Sequence, residues 1–331
     1  DPGNGTIFGE SGGGGKVCQL LGKPAAKGLF RKAIVQSGGF QAVDPAVGRR
    51  DTAAFLEHLG ITEATLDRLE TIPPADLIKA MREVNAGREN GNYLNFPVTF
   101  DGEVVRYDPF DGGAGSEYCK DIPLIICYTR EDMALLALFN PEIFDLTWET
   151  LPAALAGFGY DEAESAEIIS VYKELLPDPT APDIVIALMN DARQLKFVED
   201  VSRTKDGKGG APFYNCVFAF ESPDPVQKAF HGTDVPFFFD NAYLAPGMYT
   251  AKTKAAAFKV SDTCGSSWAS FARTGDPTGN NMPSWLPYDQ KDRYTMIIQE
   301  NSKLVSNYRK KGRELVYRLQ ARRLPGLGRS K

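Results

Sequence analysis

Along the chain, short apolar runs rich in β-branched and aromatic residues alternate with longer segments of helical spacing. Thr6-Ile7-Phe8 is a β-prone run that passes directly into glycines, and KVCQLLG behind them (residues 16–22) has helical spacing before the stop Gly22-Lys23-Pro24. This predicts a strand, a tight turn and a helix. A second buried-type strand follows in KAIVQSGG (32–39), ending in small residues as parallel strands do where their carboxyl ends form a site. Helical spacing then runs from Asp51 to about Gly87, broken at Ile72-Pro73-Pro74, and again from about Trp148 to Asp200. Strands return at PLIICYT (123–129) and PFYNCVFAF (212–220). The alternation predicts one α/β domain over residues 1–331, with a mostly parallel central sheet flanked by helices and helical insertions at about 51–92 and 145–200. RTKDGKGGAP (203–212) reads as a surface loop, and no internal repeat is present.

Composition narrows the classes. With 331 residues, 43% of them hydrophobic, the chain can fill a sizeable core, and no apolar run of about 18 residues exists to span a bilayer as a helix. A net charge of -6 without any nucleic-acid-binding motif argues against a nucleic-acid partner. The C-terminal residues 309–331 are the exception, with nine Lys/Arg against one Glu, which leaves -14 for the remainder. A solvated helix face accounts for this run, and so would contact with an anionic surface. The five cysteines form no C-x-x-C pair, and their odd number leaves at least one unpaired within the chain. His58 and His231 are the only histidines and neither has the spacing of a zinc ligand, so no metal is expected. Because the chain starts at Asp1 and its first methionine is Met81, the start of a natural product, with any signal peptide, is expected to be missing.

The stretch IFGESGGGGKV (7–17) holds five glycines, a serine and a lysine. A phosphate-binding loop, G-x-x-x-x-G-K-[ST], needs a hydroxyl after the lysine to reach magnesium. Counting back from Gly15-Lys16 puts Glu10 at the first glycine and Val17 at the hydroxyl, so that reading fails. A dinucleotide G-x-G-x-x-G fits in no register. G-x-S-x-G does fit, as Gly9-Glu10-Ser11-Gly12-Gly13, after a strand and before a helix, the setting of a nucleophile elbow. Small residues flank such a serine because the strand and helix backbones approach closely. Glycine at a helix start costs roughly 1 kcal/mol relative to alanine, so Gly13, Gly14 and Gly15 require a packing or functional reason.

A serine hydroxyl needs a base, and a histidine held by a carboxylate serves near neutral pH. His58, in AAFLEHLG, lies between leucines on a helical stretch and reads as a partly packed helix residue. His231 opens HGTDVPFFFDN, a loop following a predicted strand, and is the candidate base. In the order serine, acid, histidine, the carboxylate falls at a strand end between the two; PLIICYTRED ends such a strand, with Asp132 and Glu131 as candidates.

Several blocks together carry a specific resemblance. DPGNGTIFGESGG (1–13), FRKAIVQSGG (30–39), VTFDGEVVRYDPFD (98–111), AFHGTDVPFFFDN (229–241) and WASFARTGDPTGNNMPSWLPYD (268–289) resemble, in order, segments of the type-B carboxylesterases, the esterase/lipase family that includes cholinesterases. The resemblance covers essentially the whole chain, as the C-terminal two-thirds of such a protein. It implies an α/β-hydrolase fold, N-terminally truncated, with Ser11 as nucleophile and His231 as base. The family's acid loop, G-T-x-x-D-E-G with a catalytic glutamate, laid on Cys127 to Met133 puts the acid on Asp132, one methylene shorter, with Glu131 as the alternative. Cys127 and Met133 replace glycines there, so a different loop path is expected. The resemblance also puts a buried glutamate on Glu10 and a serine of the next strand on Ser37. Gly12 follows the nucleophile and supplies one oxyanion donor; the family's others come from a glycine-rich loop upstream of the elbow, which the ten residues before Ser11 do not contain.

The implied activity is hydrolysis of a small-molecule carboxylic ester through an acyl-enzyme, with a Ser-His-Asp triad and no cofactor. The rival readings are a catalytically inactive binding module of cholinesterase-like fold and a truncated remnant without activity. Neither compartment nor oligomeric state follows from these residues.

Overall fold

The computed structural model describes residues 1–86, 96, 98–206 and 210–319, with residues 136–138 described in backbone only. Each apolar run read as a strand forms one: β1 (Thr6–Glu10), β2 (Lys32–Gln36), β3 (Leu124–Thr129) and β4 (Phe213–Phe218). Two further strands, β5 (Thr295–Ile298) and β6 (Lys303–Val305), were not read from the sequence. The six lie side by side in numerical order; β1 to β5 run parallel and β6 closes the sheet antiparallel to β5.

Every residue of β2, β3, β4 and β5 is buried, because helices cover both faces of the sheet. Successive side chains of a strand point to opposite faces, and the core divides accordingly. Ala33, Val35, Leu124, Ile126, Phe213 and Val217 pack with Val17, Cys18 and Leu21 of the helix Gly12–Leu21 and with Val198 and Val201 of the helix Lys196–Lys205. Their neighbours Ile34, Ile125, Cys127, Tyr214, Cys216 and Phe218 pack with Val260, Cys264, Trp268 and Phe271 of the helix Lys254–Thr274. All five cysteines are buried free thiols.

Contacts gather the chain into two compact units, Asp1–Phe40 with Asp108–Lys331, and Gln41–Tyr107. The expected 51–92 segment falls in the second unit, which begins ten residues earlier; its residues 87–92 lie outside the described residues. There the helices Pro45–His58 and Pro74–Ala86 meet through Phe55 and Ala80, and His58 pairs with Glu83 at 2.9 Å, a helix residue as read. The expected 145–200 segment belongs to the first unit as the helices Leu151–Gly157, Glu162–Leu175 and Ala181–Asn190, the last continuing through a π-helical turn, Asp191–Leu195, into Lys196–Lys205. The first three of these helices share a core with Leu315, Val316 and Leu319 of the helix Lys310–Leu319. The basic C-terminal run is therefore not simply a solvated face: its helix is half buried, Arg313 included, while 320–331 lie outside the described residues. Residues 207–209 of the expected surface loop also lie outside them. Among the described residues, no helix is long and apolar enough to cross a membrane.

Candidate active site

Three strands deliver the candidate residues to the carboxyl end of the sheet. Ser11 sits between β1 and the helix Gly12–Leu21 with φ 55° and ψ −118°, a conformation that L-residues hold only when the surroundings impose it. Its N–H donates to Gln36 O at 2.9 Å, and its carbonyl accepts from Gly15 N–H at 3.0 Å. The turn is this tight because a Cβ on Gly9 would lie 2.4 Å from the carbonyl carbon of Gly13, and one on Gly14 would lie 3.0 Å from Gln36 O. Packing thus explains glycine at 9 and 14, but a Cβ on Gly13 would meet nothing within 4 Å. Gly12 opens the helix, where leading N–H groups have no intrahelical acceptor.

Asp132 lies three residues beyond β3 and is fully buried. Its Oδ1 lies 2.5 Å from His231 Nδ1 and accepts from Thr129 Oγ1 at 3.3 Å; its Oδ2 accepts from Gln194 Nε2. Glu131 turns elsewhere. Its backbone bridges Phe230, its Oε2 accepts from Ala229 N–H at 3.1 Å, and its Oε1 pairs with Arg130 at 2.6 Å. Glu131 therefore ties the acid loop to the histidine loop, and Asp132 is the carboxylate that meets the imidazole. Cys127 ends up inside β3 and Met133 is buried, its N–H donating to Asn190 Oδ1 at 2.7 Å. Asn190 also donates to the carbonyls of Thr129 and Arg130, which fixes the loop that replaces the glycine-bearing one.

The other imidazole nitrogen, Nε2, lies 3.1 Å from Glu10 Oε1, an ion-pair distance without hydrogen-bond geometry. Among the described residues, Ser11 and His231 share no hydrogen bond. Burial pushes the His231 pKa down, but the Asp132 hydrogen bond and the charges of Asp132, Glu10 and Asp234 outweigh it and leave the pKa above its ordinary value. Burial raises Glu10, with His231 opposing and Asp132 reinforcing the shift.

Asp234, three residues past the histidine, was not singled out in the sequence. It is fully buried, accepts from Gln36 Nε2 at 3.1 Å, and burial, with the charges of Asp132 and Glu10, lifts its pKa to about 7 against the Gln36 hydrogen bond. An aspartate inside the apolar run that follows His231 was the available signal. Gln194 and Asn190 had none, because their partners lie about sixty residues away in the chain. Gln194 is placed by the π-helical turn, a rare distortion that recurs at functional sites. Ser37, at φ 45°, is buried at the end of β2, its N–H donating to Cys127 O at 2.7 Å.

The structure thus joins Asp132, His231 and Glu10, with Asp234 close enough to act on the imidazole electrostatically. It sets Ser11 on a strained turn at the same sheet end, beside the opening N–H groups of a helix. An imidazole held by a carboxylate can move a proton, and leading N–H groups of a helix can hold a developing negative charge.

Known proteins share this arrangement of elements. A family model described as the carboxylesterase family matches residues 1–316. The para-nitrobenzyl esterase of Bacillus subtilis (strain 168) is 32% identical over 300 residues, covering 90% of this chain and 59% of that protein. Liver carboxylesterase B-1 of Rattus norvegicus is 26% identical over 328 residues, covering 90% of this chain and 56% of its own length. The crystal structure of a Geobacillus stearothermophilus carboxylesterase superposes with a TM-score of 0.77 at 27% identity, over 95% of this chain and 64% of that one. The chain therefore spans less than two thirds of each of these relatives. The fold they have in common with it is the α/β-hydrolase fold.

Proposed function

We propose, for a chain that belongs to the carboxylesterase family, hydrolysis of small-molecule carboxylic esters through an acyl-serine intermediate, with Ser11 as nucleophile, His231 as base and Asp132 orienting the imidazole. The observation that carries this reading is the 2.5 Å contact of His231 Nδ1 with the buried Asp132, at the sheet end that holds the strained Ser11. Asp132 accepts a hydrogen bond from Nδ1–H, which keeps the proton on that nitrogen and the lone pair on Nε2 for the serine.

The Ser11 proton passes to Nε2 as Oγ bonds to the ester carbonyl carbon, and the oxyanion of the tetrahedral intermediate is received by the Gly12 N–H. Collapse breaks the bond to the alcohol oxygen, which leaves with the Nε2 proton. Water then repeats the sequence on the acyl-serine, releasing the acid and restoring Ser11 and His231. In the geometry described, Nε2 faces Glu10, which suits an imidazolium between two carboxylates. Reaction starts when that proton is lost and the ring turns from Glu10 to Ser11, a tightening expected on substrate binding.

Labelling with a fluorophosphonate, followed by peptide mapping, tests the assignment. The label is expected on Ser11 in the parent and nowhere in Ser11→Ala. Absence of label from a folded parent chain would favour the binding-module reading and refute this one.

A further inference from the structure

A cleft lies away from these residues, on the face formed by the helices Lys196–Lys205 and Lys310–Leu319 and the segment around Arg293. It is an open cleft of about 660 Å³ lined by Arg203, Lys291, Arg293, Lys310, Arg313 and Arg318, against the carboxylates of Glu199 and Glu314. Cations outnumber carboxylates around it: Lys196 and Arg203 share Asp200, and Arg293 and Arg313 share Glu199. Glu199, buried, is engaged by Arg293 through Nε at 2.9 Å and Nη2 at 3.3 Å and accepts from Tyr288 OH. Lys310 faces Glu314 at 3.9 Å, Arg203 faces Asp200 at 3.8 Å, Lys291 lies 4.0 Å from Asp292, and Arg318 pairs with Glu167. Arg313 has no carboxylate to itself and shares the buried Glu199 with Arg293. Its Nε lies 3.8 Å from the Glu199 oxygen that Arg293 already holds, and its Nη2 donates to the neutral Asn307 at 3.3 Å. Only 5% of Arg313 is exposed, and its Nη1 has no hydrogen-bond partner among the described residues.

Two guanidinium groups on one buried carboxylate leave a net positive charge that a bound anion offsets. Arg203, Lys291 and Lys310 are exposed side chains in loose ion pairs, which exchange partners at little cost. A planar fork backed by mobile positive charge suits a phosphate group, which accepts two parallel N–H bonds. The volume falls within the range of about 300–1,000 Å³ typical of small-molecule sites, so the group belongs to a phosphorylated small molecule. We infer that the cleft around Arg313 is a binding site for a phosphate-bearing small molecule, separate from the ester site and independent of the ester reading.

Calorimetric titration of the full chain with inorganic pyrophosphate, at constant ionic strength, tests this. Saturable binding of one pyrophosphate per chain is expected. Arg313→Lys keeps the charge but loses the fork, and weakens binding about tenfold. The exposed reversals Lys291→Glu and Lys310→Glu, which leave the buried packing intact, each weaken it about fivefold. Circular dichroism checks that each variant is folded, and if Arg313→Lys is not, the reversals decide. No saturable heat from the parent, or binding that the reversals leave unchanged, overturns the inference.

Discussion

Replacing Glu10 with glutamine is expected to lower the pKa of His231 by about one unit. In the structure Glu10 Oε1 lies 3.1 Å from His231 Nε2. At that separation, opposite charges attract by about 1.3 kcal/mol at the dielectric of water and about 5 kcal/mol at an effective value of 20. The lower figure governs, because the Glu10 side chain is 25% exposed and solvent screens its charge. One pKa unit corresponds to about 1.4 kcal/mol, which gives the expected shift. The sign is downward: the glutamate charge favours imidazolium, and glutamine keeps the size without the charge. If His231 is the base, the acidic limb of ester turnover moves to lower pH by the same amount, since less alkali is needed to free Nε2. Imidazole nitrogen NMR reads the titration without requiring activity. The chain has only two histidines, and His58, paired with Glu83 in the other unit, is the internal control. A His231 pKa that moves by less than about 0.3 unit, or rises, refutes the electrostatic account of this contact.

Three further outcomes are expected. Asp132→Asn lowers kcat by about 10⁴-fold through the wrong imidazole tautomer, whereas Glu131→Gln, which keeps an acceptor for Ala229 N–H, costs less than about tenfold; steady-state kinetics on a p-nitrophenyl ester rank the two. Gly9→Ala forces a Cβ to within 2.4 Å of Gly13 backbone and destabilises the fold by about 1–3 kcal/mol, read as a lower urea midpoint at unchanged slope. Asp234 has a folded pKa raised to about 7 by burial, so the folded state holds its proton more tightly than the unfolded chain does. This group's contribution is therefore most favourable below the unfolded pKa of about 4 and is lost as pH rises through 7, on the order of 4 kcal/mol in all. Asp234→Asn lacks this dependence, so its melting temperature relative to the parent should climb between those pH values, and a constant difference would disprove the shift.

Residue order alone determined the elements whose causes are local. β1 to β4 were legible because an apolar run between glycines and prolines has few ways to bury itself other than as a central parallel strand. The turn at Ser11 was legible because its steric requirement, glycine at 9, acts across a few residues of one strand-turn-helix. His231 followed from there being two histidines, one of them on an ordinary helical stretch. β5 and β6 were not read, since a four-residue and a three-residue run carry too little period to stand out. The choice between neighbouring carboxylates belonged to tertiary structure. The bridge of Glu131 to Phe230 aligns the acid loop with the histidine loop, and adjacent residues on such a segment point to opposite sides, so one carboxylate faces the Ala229 backbone and the next faces the imidazole. Gln36 meets Asp234 across 198 residues and Gln194 meets Asp132 across 62, contacts that no local pattern encodes. The same holds for Arg313. Its charge was plain in a basic run, but its burial and its sharing of Glu199 with Arg293 exist only once the C-terminal helix has packed there. Spacing along a chain dictates conformation over a few residues; burial and charge pairing depend on which distant segments the fold brings together.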